Sequence, residues 1–323
     1  MNVESLNKQF IEALKTKIPQ KTNLAKSIME ELFIGKEAVY RRLRGDVVFT
    51  FPEIVSLSRR YGVSIDALAG NLSPNSILFE LKPTRISSDL KDIDYGLFKQ
   101  FADVINSIRD DKTSEMAYSS NMYPQLIYTK YYHLSKLHTL KWLYQQEYLN
   151  KHNEPYHLID YPDDLQELKV KAYNKLKYLH ESTYIWDSEL FKSIVNDIKY
   201  FESVSLITRK EDFEVFKEEL HLLLNDLEQL AMTGHFDTGN KVNIYVSNIN
   251  IDATYCYIRS KTFNASMIGV FSMNFISSME ERTLEKMQQW ALAQKKVSTL
   301  ISESGEMQRT RFFKRQREII GTL

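Results

Sequence analysis

Arg41, Arg42 and Arg44 fall together in Lys36-Glu37-Ala38-Val39-Tyr40-Arg41-Arg42-Leu43-Arg44-Gly45, and Arg59 and Arg60 follow soon after. A guanidinium carries a fixed positive charge and a planar fork of donors. Several of them on one short segment therefore suit phosphate oxygens and the edges of nucleic-acid bases. Residues 1–70 hold 11 Lys+Arg against 8 Asp+Glu, a net of +3 in a chain whose formal net charge is zero. The same arginines would also serve as a solvated helix face, so their spacing alone leaves both readings open.

Other chemistry has less to build on. The histidines are His133, His138, His152, His157, His180, His221 and His235, and no two of them form HExxH. His133 and His138 are five apart and diverge on a helix. Cys256 is the one cysteine, which excludes a thiolate zinc site and an internal disulfide. Set between Tyr255 and Tyr257 in a strand-like run, it reads as a small core hydrophobe. There is no G-x-x-x-x-G-K-[ST], G-x-G-x-x-G or G-x-S-x-G sequence. The pairs Asp163-Asp164 and Glu218-Glu219 sit where a helix starts and on a helix surface, positions that carboxylates occupy for the dipole or for solvation. No metal, cofactor or catalytic residue is expected, and the chain is not expected to be an enzyme.

The elements that would position the arginines are helices. Leu6, Phe10, Ala13 and Leu14 recur at helical spacing, ending near Pro19. Thr22 is the expected N-cap of a second helix carrying Leu24, Ile28, Met29 and Leu32. After Gly35, residues 36–44 form a third helix, with Ala38, Val39 and Leu43 inward and Lys36, Glu37, Tyr40, Arg41 and Arg44 outward. Gly45 stops it. Phe51-Pro52-Glu53 opens a fourth helix with Ile54, Leu57 and Tyr61 on its buried face, and Gly62 ends it. Val63 to Leu68 makes a fifth. The expectation is a compact five-helix bundle.

With these residues in view, residues 4–70 resemble the lambda-repressor-like (XRE-type) helix-turn-helix domains of bacterial and phage regulators. Ala38 to Gly45 is similar to the family's recognition helix ending in Leu-x-Gly, and Tyr61-Gly62-Val63-Ser64 to its Leu-Gly-Val-Ser-like turn. Counting back from Val39, the small residue usual in the second helix is Met29, and the usual turn glycine falls on Phe33. The resemblance implies binding of double-stranded DNA in the major groove, with Lys36, Glu37, Tyr40, Arg41 and Arg44 as the residues at the DNA. Proteins of this kind bind as homodimers, since two half-sites multiply affinity.

Residues 71–88, with Pro74 and Pro83, are expected to be a linker. A helical middle region over 89–235 would follow, with helices at 90–108, 129–149, 164–180, 188–203 and 211–232 and a strand around Met116–Ser119. From Lys241 the apolar period changes to two. Val242 to Ile251, Thr254 to Arg259 and Met267 to Phe275 read as strands, and Glu281 to Val297 as a helix. Residues 236–323 are thus expected to be an α+β sensing or dimerisation region built on an antiparallel sheet of at least three strands. Near the end, Arg309, Arg311, Lys314, Arg315 and Arg317 surround Phe312 and Phe313. That segment would either touch phosphates or dock its Phe312, Phe313, Gln316 and Ile320 face on the sheet.

The whole chain is expected to be mainly α with a C-terminal α+β part. Its 323 residues exceed one small domain, and 43% hydrophobic with 26% charged residues is a globular composition. Met1 to Ser5 opens no basic-then-apolar leader, and no run of about 18 uncharged apolar residues exists, so a cytoplasmic protein without a membrane span is expected. A DNA-binding transcription regulator is the function expected, with a small-molecule or protein effector left open. The alternative is a protein–protein interaction or assembly factor whose N-terminal bundle is structural.

Overall fold

The computed structural model describes residues 3–18, 24–68, 77–81, 96–122, 126–145, 154–270 and 274–323. It divides into two units, Met1–Leu78 and Phe79–Leu323. The fold class is α+β. Thr22 and Pro19, and residues 71–76 and 82–88 of the expected linker, lie outside the described residues.

The first unit contains α1 (Val3–Lys17), α2 (Leu24–Leu32), α3 (Lys36–Arg44), α4 (Phe51–Tyr61) and α5 (Ile65–Leu68). The apolar residues at helical spacing meet: Phe10, Ile11, Leu14, Ala25, Ile28, Val39, Phe49, Leu57 and Val63 form one buried cluster. Phe10 and Phe49 pack edge to face at 5.5 Å, and the Asn7 side-chain oxygen accepts a hydrogen bond from the Phe49 amide. Gly45 and Gly62 end α3 and α4 in the left-handed region, φ 87° and 67°, where a side chain would meet its own backbone.

The second unit is one eight-stranded sheet with helices on both faces. Its elements run β1 (Glu80–Leu81), α6 (Gly96–Ile108), β2 (Glu115–Ser120), a 3-10 turn (Ile127–Lys130), α7 (Tyr132–Gln145), α8 (Asp163–Leu176) and β3 (Glu181–Trp186). There follow α9 (Lys192–Ser203), α10 (Lys210–Thr233), β4 (Lys241–Ser247), β5 (Tyr255–Arg259), β6 (Asn264–Val270), β7 (Asn274–Ser278), α11 (Glu281–Lys296), β8 (Ser298–Leu300) and α12 (Glu306–Ile320). The strand order is β1-β7-β6-β5-β2-β3-β4-β8. The sheet is mixed rather than antiparallel: β2 pairs with β3, and β3 with β4, in parallel. Parallel neighbours need a crossover, and α7–α8 and α9–α10 supply them.

Two expected boundaries change as a result. The division at 235/236 runs through the sheet, because β2 and β3 come from the supposed helical middle region and pair with β5 and β4. Within 71–88, Glu80 and Leu81 are not linker but an edge strand paired with Ser277 and Ile276. The expected strand Met267–Phe275 is two strands, β6 and β7, paired antiparallel.

Alternation across the pleat sends Met116, Tyr118, Tyr184, Trp186, Val242, Ile244, Cys256 and Ile258 into the main core with α6 to α10 and α12. Ala117 and Tyr257 point the other way, onto Leu284, Met287 and Ala291 of α11. Between the two readings of the C-terminal segment, docking is what α12 does. Phe312, Phe313, Gln316 and Ile320 are buried, and Phe312 stacks on Trp186 at 5.9 Å. Gln316 accepts from the Phe191 amide and donates to the Ser188 carbonyl. No helix among the described residues is long and apolar enough to cross a membrane.

Candidate nucleic-acid interface

α3 is short, and its two faces differ. Val39 is fully buried in the first unit's core, and Ala38 and Leu43 are half-buried. Lys36, Glu37, Tyr40, Arg41 and Arg44 are all exposed. The structure therefore gathers the five residues expected at DNA on the outer side of one helix. Within that face, Lys36 Nζ stands 5.9 Å from the Tyr40 ring centroid. Arg44 is held by Asp46 (3.0 Å) and Glu37 (3.5 Å). Arg41 makes no side-chain ion pair or hydrogen bond among the described residues.

Arg42 does a different job from its neighbours. Its Nε and Nη2 donate to the two Glu53 oxygens at 3.0 and 2.8 Å, and its Nη1 donates to the Ala38 carbonyl at 3.2 Å. Glu53 also accepts from the Thr50 amide at the start of α4 (2.8 Å). Burial works against the Glu53 charge, but the Arg42 hydrogen bond, the Thr50 amide and the Arg42 charge outweigh it and hold the carboxyl below its usual range. This bidentate pair, 15% and 16% exposed, fixes α3 against α4. Helical spacing already leaves Arg42 out of the outward set, three residues after Val39; what the sequence does not mark is its partner Glu53, eleven residues on.

The turn into α3 is unusual. Phe33, where the resemblance puts a glycine, adopts φ 54° with its ring 93% exposed. The backbone thus makes a glycine-like turn with an aromatic residue, a conformation that costs an L-residue about 1–2 kcal/mol. Arg59 and Arg60 go elsewhere than the α3 face. They line a shallow groove of about 660 Å³ with Glu31, Phe51, Pro52, Val55 and Ser56, and Arg60 pairs with Glu31 at 3.8 Å.

In the second unit the polar groups are mostly inside. Among the described residues no group of three His, Cys, Asp or Glu could hold a metal ion. His138 is buried against the Tyr128 ring, and burial followed by the Lys169 and Lys141 charges pushes it down to about 3. His133 Nδ1 faces the Tyr156 hydroxyl at 3.0 Å. Burial alone pushes the Cys256 thiol up to about 12. A fully buried amine, Lys169, sits among the hydroxyls of Ser135, Thr139 and Tyr161. Sequence reasoning passed it over, although it lies four residues after Leu165 and three before Ala172 on the apolar stripe of α8. A lysine at that spacing was the available signal.

Of the basic residues near the C-terminus, Arg315 pairs with Glu189, and Arg317 with Glu228. Arg311 and Lys314 stay exposed on α12. Compared with profiles of known protein families, with curated proteins and with solved structures, the chain matches none.

Proposed function

We propose that this protein is a DNA-binding transcription regulator in which residues 3–68 act as a five-helix, lambda-repressor-like helix-turn-helix domain. In this reading α3 enters the major groove of double-stranded DNA, and the second unit serves dimerisation or regulation of a homodimer. One observation carries it: Lys36, Glu37, Tyr40, Arg41 and Arg44 share the exposed side of α3, while Val39 and the Arg42–Glu53 pair hold that helix in place. Recognition requires exposed side chains within reach of bases, mounted on a helix that does not move. The solvent-exposed pairs of Arg44 are weak enough to be exchanged for a base or phosphate. The left-handed Phe33 supports the same reading, since it gives the α2–α3 turn the backbone that a glycine gives it in the family the sequence resembles.

A second reading, a protein–protein interaction or assembly factor, draws on the exposed rings of Phe33 and Phe51. Titration of the full chain with random duplex DNA across a range of salt separates the two. The DNA reading expects the logarithm of affinity to fall linearly with the logarithm of salt, with a slope of about −0.9 per phosphate contacted. Absence of binding even at low salt overturns it in favour of the assembly reading.

A further inference from the structure

The layer where α7 meets α8 is polar at a depth where cores are apolar. Lys169, 1% exposed, places Nζ 2.9 Å from the Tyr161 hydroxyl, 3.0 Å from Thr139 Oγ1 and 3.4 Å from Ser135 Oγ. The rings of Tyr161 and Phe98 flank it, with centroids at 5.2 and 5.6 Å. No carboxylate among the described residues pairs with it.

The groups facing it from each packed element are few. α7 presents Ser135, His138 and Thr139, with His138 neutral for the reason given above. α8 presents Gln166, the segment before it Tyr161, α6 Phe98, and the 3-10 turn Thr129, whose hydroxyl reaches the Lys169 carbonyl. Several of the nearby charges are engaged elsewhere, and Asp163, Asp164, Glu167 and Lys171 of α8 lie on its exposed side. Lys141 pairs with Asp197 at 2.6 Å, Lys130 with Asp226, and Lys175 with Asn106. Lys136 lies over the Tyr156 ring, and Glu219 accepts the first amides of α7.

The hydroxyls can serve the amine in either proton state. When Lys169 is charged it donates three hydrogen bonds. Thr139 can then donate to the Ser135 carbonyl (3.1 Å), Ser135 to the Tyr161 oxygen (2.9 Å) and Tyr161 to Gln166 Oε1 (3.4 Å). When it is neutral, the amine donates two and accepts one, and one hydroxyl turns round. The heavy atoms need not move. What differs is a positive charge with no counter-charge among the described residues at a buried site, which hydroxyl dipoles compensate only in part.

We infer that this cluster is a proton-sensitive latch: the neutral amine keeps α7 and α8 closed, and its protonation loosens that interface. Burial brings the amine down to about 7, so the change falls near neutrality. The sign follows from linkage. The folded amine gives up its proton more readily than the unfolded one, so the unfolded chain holds more protons between about pH 7 and the ordinary lysine value of about 10.4, and stability rises with pH across that window.

The test is urea unfolding of the full chain followed by tryptophan fluorescence, since Trp142, Trp186 and Trp290 all belong to the second unit. From about pH 7 to pH 9 Lys169 is expected to lower the wild-type unfolding constant roughly 50-fold, a fall that ionisation of the Cys256 thiol in the unfolded chain trims toward pH 9. Lys169→Met is expected to lose that fall. Equal slopes in the two proteins, or a flat wild type, overturn the latch. Hydrogen exchange on the wild type needs no variant. After correction for intrinsic rates, amides of α7 and α8 should gain protection from about pH 6.5 to 8.5 more than those of α12. Uniform change through the unit overturns the local device.

Discussion

Among the described residues, the most enclosed cation of the first unit, Arg42, has a carboxylate at 2.8 Å, whereas the more deeply buried Lys169 of the second has only hydroxyls. The contrast follows from size. A unit of under eighty residues has a small core and little spare stability, so an enclosed charge there must be paired. The second unit surrounds its amine with a core running from Ile105 to Ile320, and there the amine can shed its proton near neutrality instead of taking a counter-charge. The first unit keeps its remaining cations at the surface, where they can meet another molecule. The second keeps its unusual side chain inside, where only a proton reaches it.

Leu57→Ala should separate the two units most sharply. Leu57 is fully buried at the centre of the first core, and its truncation should cost about 2–5 kcal/mol. Far-UV circular dichroism should show an early transition for the first unit, with tryptophan fluorescence of the second unmoved. If the two signals shift together, the units do not fold independently and the comparison fails.

Arg42→Ala and Arg41→Ala, neighbours in sequence, should part company. Loss of Arg42 strands a half-buried Glu53 carboxylate and should destabilise the first unit by about 2–3 kcal/mol. Arg41→Ala should leave the melting temperature within a degree or so and weaken duplex binding by about 1–3 kcal/mol if it contacts a base. The same holds for Arg44→Ala. Early melting of the Arg41 variant, with Arg42→Ala harmless, would reverse the assignment of faces on α3.

Phe33→Gly should have the smallest effect and the opposite sign. Relief of the left-handed strain, less the greater freedom of an unfolded glycine, should stabilise the first unit by about 0.5–1 kcal/mol. A lower melting temperature would mean that the exposed ring contributes more than its surroundings indicate.

The contrast also explains what could be read in the sequence. In the first unit, Phe10, Leu14, Ile28, Val39 and Leu57 repeat at helical spacing because each helix has one buried face, and an outward set on α3 follows from the inward one. β3 was not anticipated because strands covered on both faces lose alternation. Ser182, Thr183 and Tyr184 are all buried, and nothing in their polarity marks a strand. The parallel pairing of β2, β3 and β4 is invisible for a related reason: the partners are more than fifty residues apart, joined by helical crossovers, and no local pattern records which strands will meet. The Arg42–Glu53 pair and the ring of hydroxyls around Lys169 are likewise tertiary arrangements, which local periodicity does not encode.

Cys256 gives the second unit a property that none of its polar groups has. It is the one thiol in the chain, buried on β5 beside Tyr118 of β2, and burial suppresses the thiolate that oxidants and alkylating agents attack. While the sheet is closed the sulfur is chemically silent. A reagent in excess can reach it only in molecules whose central strands have parted. This single atom therefore times the opening of the sheet, and the chain carries its own clock for how long the second unit stays shut.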